Sequence, residues 1–453
     1  MREREEYKMD FNAIKKAVAD TASKLGLSEY ELYYVQDSSV SAETLKHEIS
    51  ALSSAVSGGV CFRCVVDGKM GYASSELMDP DEMEALVIRA ASNAKYVESD
   101  DGGIIFAGSE KYEKTNAPEP KVMELSEMKA MALEIENELY EASDKVIDGS
   151  NAGLGSSEMW IRIFNSHGLD LENHVGRNYA VAYGVVNVDG EVRNDYEIVE
   201  GDSKEAFEGM AKRAVDSALS QIGAGSVETG TYKVIINKKQ MASLLSAFSS
   251  IFSAKNAQNG LSLLKGKEGE VIASECVTIT DDPFRQGYAI QTHFDAEGVA
   301  TYRKNVVEKG VFKTLLYNLA TAKKAGVETT GNASKMGYAG SVEISPYCFC
   351  IEGSDITEDE LFEMAGEGVF VTDLKGLHAG INAVTGDFSL ESSGFMIENG
   401  KKGRPVKSFT IAGNFFELLK NIEAVSNEVK IGLGGFTSFG APCVLVRSIS
   451  IAG

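Results

Sequence analysis

The apolar pattern of the chain predicts an α+β fold, with helices laid on a largely antiparallel sheet in the N-terminal part and a β-rich C-terminal domain. Three observations carry this reading. Amphipathic helical stretches in the first half alternate with runs that repeat every two residues and end in turn residues. From Thr229 onward, short β segments and Gly-rich turns dominate, with helices only near 238–253, 357–366 and 414–426. No period of 20–50 residues repeats, so a repeat array is not indicated.

Residues 10–25 read as a helix because Phe11, Ile14, Val18 and Leu25 form one stripe and Gly26 can end it. The period changes to two near 29–36, 41–50, 59–66 and 70–75, with Asp67-Gly68 as a hairpin turn. A second helix opens at Asp79-Pro80-Asp81-Glu82: Asp79 can cap, Pro80 suits the first turn, and Glu82 completes the capping-box spacing. Met83, Leu86, Val87, Ala90 and Ala94 form its apolar face. Gly102-Gly103, Pro118 and Pro120 mark 100–122 as a linker. A helix over 126–143 buries Met128, Met131, Ile135 and Leu139. Strands follow near 157–165, 178–188 and 191–199, then a helix near 203–222 with Phe207, Met210, Ala214 and Ala218 inward. The last strand is placed at 443–451. The chain therefore divides into an N-terminal α+β unit (1–120), a middle β–α section packing with it (121–225) and the β-rich domain (226–453).

The 453 residues hold 44 Lys+Arg against 67 Asp+Glu, a formal net charge of −23. Such a surface repels phosphate backbones and anionic lipid headgroups, which disfavours general nucleic-acid binding or membrane-surface binding. The opening MREREEYKMD is charged, and no run approaches the roughly 18 apolar residues of a membrane span. Six Cys are spread without the density of a disulfide-stapled domain. A cytoplasmic location is expected.

Five His, at 47, 167, 174, 293 and 378, limit the metal sites that can be built. His47-Glu48 is the one His-Glu pair, and no second His follows at helical spacing, so a hairpin is the better reading. Cys61 and Cys64 have CxxC spacing but lie in a strand-like run, where positions three apart face opposite ways. Cys348 and Cys350 share a face, yet two thiols make an incomplete site. The G-x-S-x-G and Walker A patterns are absent, and the Gly-rich run 432–440 lacks the strand-to-helix context of a dinucleotide site, reading instead as a loop before the last strand. His293 and Asp295 would share one strand face. The densest polar constellation is His378, Asn382, Thr385, Asp387 and Ser389, crowded into twelve residues with two glycines. That composition suits a functional loop, or a tight turn tied to itself by Asx-type hydrogen bonds.

Several stretches, in order, carry a resemblance: Gly59-Val60 through Val65-Val66-Asp67-Gly68-Lys69-Met70-Gly71-Tyr72-Ala73, HAGINAVTGDFSLESSGFMIENGK from His378 to Lys401, Ile411 to Leu419, Ile422 to Asn427, and Gly440 to Gly453. With them the sequence resembles the TldD/PmbA family, once named as modulators of DNA gyrase, over nearly its whole length. The resemblance implies one of two branches. TldD subunits carry an HExxxH zinc helix soon after the first strand of the C-terminal domain, with a further Cys ligand late in the chain. PmbA subunits, also called TldE, lack that motif and pair with TldD in a heterodimeric metalloprotease acting on small or unfolded peptides. Here the corresponding strand is Tyr232 to Asn237, and the helix after it, KKQMASLLSAFSSIF at 238–252, has neither His nor Glu. Cys443 falls later than the TldD ligand, and Glu428-Val429-Lys430 stands nearer that position. The resemblance thus implies a PmbA/TldE-like chain with no metal or catalytic residue of its own, zinc in a TldD-like partner, a peptide substrate, and a homodimer as a possible form in isolation. Two other readings stay open: a regulatory binding protein acting on gyrase or a toxin–antitoxin pair, and a self-sufficient hydrolase built on groups such as His293, His378 and Asp387.

Overall fold

The protein is described by a computed structural model over residues 11–98 and 103–453. The charged opening decapeptide, including the predicted helix start at residue 10, and Asp100 and Gly102 of the linker lie outside the described residues.

Strands β1 (Tyr30–Leu45), β2 (Glu48–Val66), β3 (Lys69–Ser75), β4 (Asn151–Asn165), β5 (Asp170–Val188) and β6 (Glu191–Glu200) form one antiparallel sheet in the order β3-β2-β1-β4-β5-β6. Alternation decides its two faces. On one face, helices α1 (Phe11–Lys24) and α2 (Pro80–Asn93) pack on Leu32, Tyr34, Phe62 and Phe164. Farther along, α3 (Leu125–Ala142) packs on Val40, Ala42, Leu154 and Ala180. It is joined there by the short α4 (Lys204–Phe207) and by α5 (Met210–Leu219). On the other face, Tyr33, Val35, Ile161 and Ile163 meet Phe294, Ala296 and Ala333 from the C-terminal half. Helix α2 starts as its sequence predicts, with the Asp79 carboxylate accepting from Glu82 N at 2.9 Å behind Pro80.

Several predicted boundaries differ, three of them with a clear local cause. The strand predicted over 41–50 straddles a two-residue hairpin turn, Lys46-His47, in which both residues take positive φ without the Gly that usually announces it. The helix predicted over 203–222 is broken at Gly209, whose φ of 73° cannot continue an α-helix. The helix predicted over 414–426 stops six residues in, because Ile422 to Val425 leave it to pair as a strand.

In the C-terminal half, β7 (Gly230–Ile236) runs into α6 (Lys238–Phe248), a 3-10 turn at Ser249–Phe252, and α7 (Ala254–Gln258). Next come β8 (Ile279–Asp281), β9 (Lys304–Glu308), β10 (Val311–Phe312), α8 (Leu319–Ala325), the paired β11 (Ala333–Ser334) and β12 (Glu343–Ile344), and β13 (Cys348–Ile351). The chain continues through α9 (Glu358–Ala365), β14 (Gly368–Lys375), β15 (Asp387–Glu398), β16 (Lys401–Asn414) and α10 (Phe415–Lys420). It closes with β17 (Ile422–Val425), β18 (Lys430–Ile431), β19 (Ser438–Ala441) and β20 (Val444–Ala452). These strands assemble the sheets β10-β9-β8-β13-β19-β18 and β16-β15-β14-β7-β20-β17. Leu244, Phe248, Phe252, Phe312, Phe349 and Phe415 belong to the shared apolar core. The Gly-rich run 432–440, predicted as a loop, is a loop only up to Thr437: Ser438 to Gly440 pair in parallel with Cys348 to Cys350 of β13. With 24% helix and 39% strand, the α+β class and the β-rich C-terminal part stand as predicted. Among the described residues no helix is long and apolar enough to cross a membrane.

Candidate functional site

The polar constellation from His378 to Ser389 forms the turn that leads into β15. Asn382 accepts from Val384 N and Thr385 N through its side-chain oxygen, at 3.0 and 3.2 Å, which makes an Asx-type turn. Thr385 Oγ1 donates to Asp387 at 2.7 Å. Asn414, which faces Asp387 across the β15–β16 pair, donates to Thr385 O and to Asp387 at 2.8 and 2.9 Å while its side-chain oxygen caps α10. These bonds from Asn414 and Thr385 hold the Asp387 carboxyl below its usual range. Ser389 contributes its backbone N–H to Gly380 O, and His378 is exposed and enters none of these bonds. Thr385 and Asn414, with Leu263, Leu264, Val271 and Phe416, line a cleft of about 450 Å³.

His293 and Asp295, expected on one strand face, lie outside any strand and take separate partners. Asp295 ties a turn, accepting from the backbone N–H groups of Glu297, Val299 and Ala333 at 2.9 to 3.0 Å. Burial, then Glu297, pushes its carboxyl up to about 8. His293 packs edge-on to Tyr112 and Phe294, and burial lowers its pKa. The remaining histidines serve surface contacts: His47 bonds Asn137 at 2.9 Å in the hairpin turn, His167 bonds Glu29 at 2.8 Å, and His174 stacks on Trp160 and bonds Glu158. Cys64 packs under α1 and α2, whereas Cys61, three residues away on the same strand, is buried outside that cluster. The Cys348 and Cys350 Sγ atoms lie 3.6 Å apart.

A buried ionic group was not foreseen. Arg63 on β2 faces Glu31 on β1 and donates to it at 2.7 Å, while its Nη1 lies 3.4 Å from Glu297 of the C-terminal half. The three side chains are 4%, 1% and 6% exposed. Burial raises the Glu31 pKa even beside Arg63, while Glu31 and Glu297 outweigh burial to hold the guanidinium above its usual value. A cavity of about 340 Å³ opens beside Arg63 and Glu297, lined also by Tyr72, Lys255 and Lys324. The sequence signal was present in part, as charges at core-facing positions of apolar strands.

The helix after the first C-terminal strand is a packing element. Met241, Leu244, Leu245 and Phe248 of α6 are buried, and Phe248 stacks on Phe415 with ring centroids 4.5 Å apart. At its first turn the Lys238 ammonium lies 2.5 Å from Glu428 and 3.4 Å from Glu358, and the Cys443 thiol donates to the same Glu358 at 3.4 Å.

Three consecutive domain models of one family match this architecture: the PmbA/TldA metallopeptidase domain 1 at residues 30–94, the central domain at 118–222 and the C-terminal domain at 229–453. The chain belongs to the PmbA/TldD family. A Haemophilus influenzae relative named as a metalloprotease PmbA homolog is 26% identical, the match covering 91% of this chain and 90% of that one. A solved Thermotoga maritima structure, described as that of a proposed modulator of a DNA gyrase, superposes with a TM-score of 0.88 at 29% identity, over 98% of this chain and all of the other. The structure of TldE from Thermococcus kodakarensis gives 0.89 at 24% identity, over 97% and 100%, a likeness of fold.

A metallopeptidase family implies a metal, and the residues around α6 do not fit one. The Cys443 thiol is buried and donates to Glu358 at 3.4 Å, and burial, reinforced by Glu358, pushes its pKa up to about 12. The nearby carboxylates Glu358 and Glu428 are engaged by the Lys238 ammonium, a charge that opposes a cation at the same place. Among the described residues no three His, Cys, Asp or Glu side chains gather as a ligand set. In this member of the PmbA/TldD family α6 is held by its core contacts and by the Lys238 pairs with Glu358 and Glu428 at its start.

Proposed function

We propose that this chain is the PmbA/TldE-like subunit of a two-subunit metallopeptidase that processes or degrades small or unfolded peptides. The zinc, its activated water and the general base come from a TldD-like partner. The observation that carries this reading is α6: an apolar face sunk in the core, and at its start an ammonium held by two carboxylates. The metalloprotease names of PmbA relatives support it. On this reading the chain contributes positioning rather than chemistry, as a wall of the substrate chamber or a support for the active subunit's geometry. The His378–Ser389 turn contributes Thr385 to the rim of the cleft beside Phe416, which Lys267, Glu270, Glu417 and Lys420 also line. A cytoplasmic setting suits the six unlinked cysteines. The test is to measure zinc and peptidase activity for this chain alone, for a TldD-like chain alone and for the two together, with and without a chelator. Chelator-sensitive activity that requires the TldD-like chain is expected. About one equivalent of zinc in this chain alone, with matching peptidase activity, overturns the proposal.

A further inference from the structure

The cavity beside Arg63 lies between the N-terminal sheet and two short helices of the C-terminal half. Glu31, Arg63 and Tyr72 stand opposite one another across β1, β2 and β3, so their side chains share one sheet face. Arg63 reaches Glu297 from that face, which is the face that meets the C-terminal half. Across the cavity are Lys255, Gln258 and Asn259, on and just after α7, and Thr321 and Lys324 of α8. Its volume of about 340 Å³ falls within the roughly 300–1,000 Å³ of small-molecule sites.

The charges on its wall are uneven. Arg63, Lys255 and Lys324 line it against one carboxylate, Glu297, in a chain whose acidic residues outnumber its basic ones 67 to 44. The partners of these cations differ. Lys255 is held at 2.6 Å by Glu343, which stands outside the cavity. Lys324 is exposed and forms no ion pair among the described residues. The Arg63 side chain is 4% exposed, and two of its nitrogens serve Glu31 and Glu297. The third, Nη2, is buried with no hydrogen-bond partner. A charged donor left in that state costs free energy that an incoming acceptor recovers. Both oxygens of Glu297 are engaged, one by Arg63 and one by Leu319 N, yet its charge remains on the wall and opposes a dianion more than a monoanion. Met70, Val97, Ile104 and Val342 supply an apolar lining, which suits an organic body rather than an inorganic ion.

We propose that this cavity binds a small organic monocarboxylate with a short aliphatic body, its carboxylate seated at Arg63 and drawn in by Lys324, its body against Met70, Val97, Ile104 and Val342. The site is independent of the peptidase reading, since it shares no residue with α6 or the His378 turn. The test titrates the full chain in a calorimeter with N-acetyl-leucine, with the uncharged N-acetyl-leucinamide, and with inorganic phosphate. N-acetyl-leucine is expected to bind at one site per chain, and the amide and phosphate at least about tenfold more weakly, the loss of one charge-assisted hydrogen bond. Arg63 also ties the two halves of the fold, so the variants are placed on the exposed rim. Lys324→Gln is expected to weaken N-acetyl-leucine about tenfold and Lys324→Arg to restore it. Lys323→Gln, one residue away and outside the cavity, leaves the affinity unchanged. Circular dichroism checks that the three variants keep the fold. No binding at millimolar N-acetyl-leucine, equal binding of the amide, tighter binding of phosphate, or equal effects of Lys323→Gln and Lys324→Gln overturns the proposal.

Discussion

Replacing Arg63 by Met tests how the N-terminal sheet is fastened to the C-terminal half. The guanidinium is shared between Glu31, 2.7 Å away on the neighbouring strand, and Glu297, 3.4 Å away in the C-terminal half, whose other oxygen accepts from Leu319 N at 2.9 Å. Methionine fills much of the same volume but leaves two buried carboxylates without the guanidinium they share, with Lys335 the remaining positive charge acting on Glu31. Breaking a buried ionic group by removing one partner costs about 3–5 kcal/mol. The loss must depend on pH. Burial already raises Glu31 above its usual value with Arg63 present, and without it the pKa rises further. A carboxyl with a raised folded pKa binds a proton in the native state that the unfolded chain has released above about 4.3, so its stability falls as pH climbs through that window. The deficit of Arg63→Met should therefore be larger at pH 8 than at pH 5. Urea unfolding can be followed by far-UV circular dichroism and by the fluorescence of the single tryptophan, Trp160, which sits on β4 of the same sheet. The triple change Glu31→Gln, Arg63→Met, Glu297→Gln should recover part of the loss. A deficit below about 1 kcal/mol, or one equal at the two pH values, refutes the assignment of a buried ionic tie.

Three further outcomes follow from the geometry. Phe248→Ala removes the ring stacked on Phe415 and should lower stability by about 3–5 kcal/mol in denaturant melts, as for a large aromatic deleted from a core; a near-neutral change would contradict the packing role of α6. At pH 8, Ellman's reagent should titrate Cys276 quickly, and the five buried thiols, Cys443 among them, only on unfolding. Asn414→Ala removes the α10 cap and two donated bonds, and should cost about 1–2 kcal/mol. In the same variant the Asp387 carboxyl should rise toward its ordinary value in an NMR titration.

What the sequence disclosed depends on whether a residue's role is set locally. The α1 and α2 stripes were legible because each helix buries one face at a 3.6-residue period, and the α2 start because Asp79 and Glu82 are three residues apart. The long β1–β2 hairpin reads in the sequence as separate pieces because its distal part, rich in Ser, is mostly exposed along β2. At α10, the apolar residues of the helix and of β17 merge into one amphipathic pattern, and only Asn421 separates them.

The candidate sites divide along the same line. The His378–Ser389 cluster was visible as composition, but the residue that locks it, Asn414, is distant in sequence and arrives only through the β15–β16 register. Glu31 and Arg63 could be picked out as charges on the buried sides of apolar strands, and their pairing follows once the hairpin register is known. Glu297 could not, since its position depends on how the C-terminal half docks against the sheet. The absence of His and Glu from α6 is readable from the sequence alone, yet it becomes informative only when Lys238, Glu358, Glu428 and Cys443 are found together, because residues from four separate places in the chain decide whether the place could hold a cation.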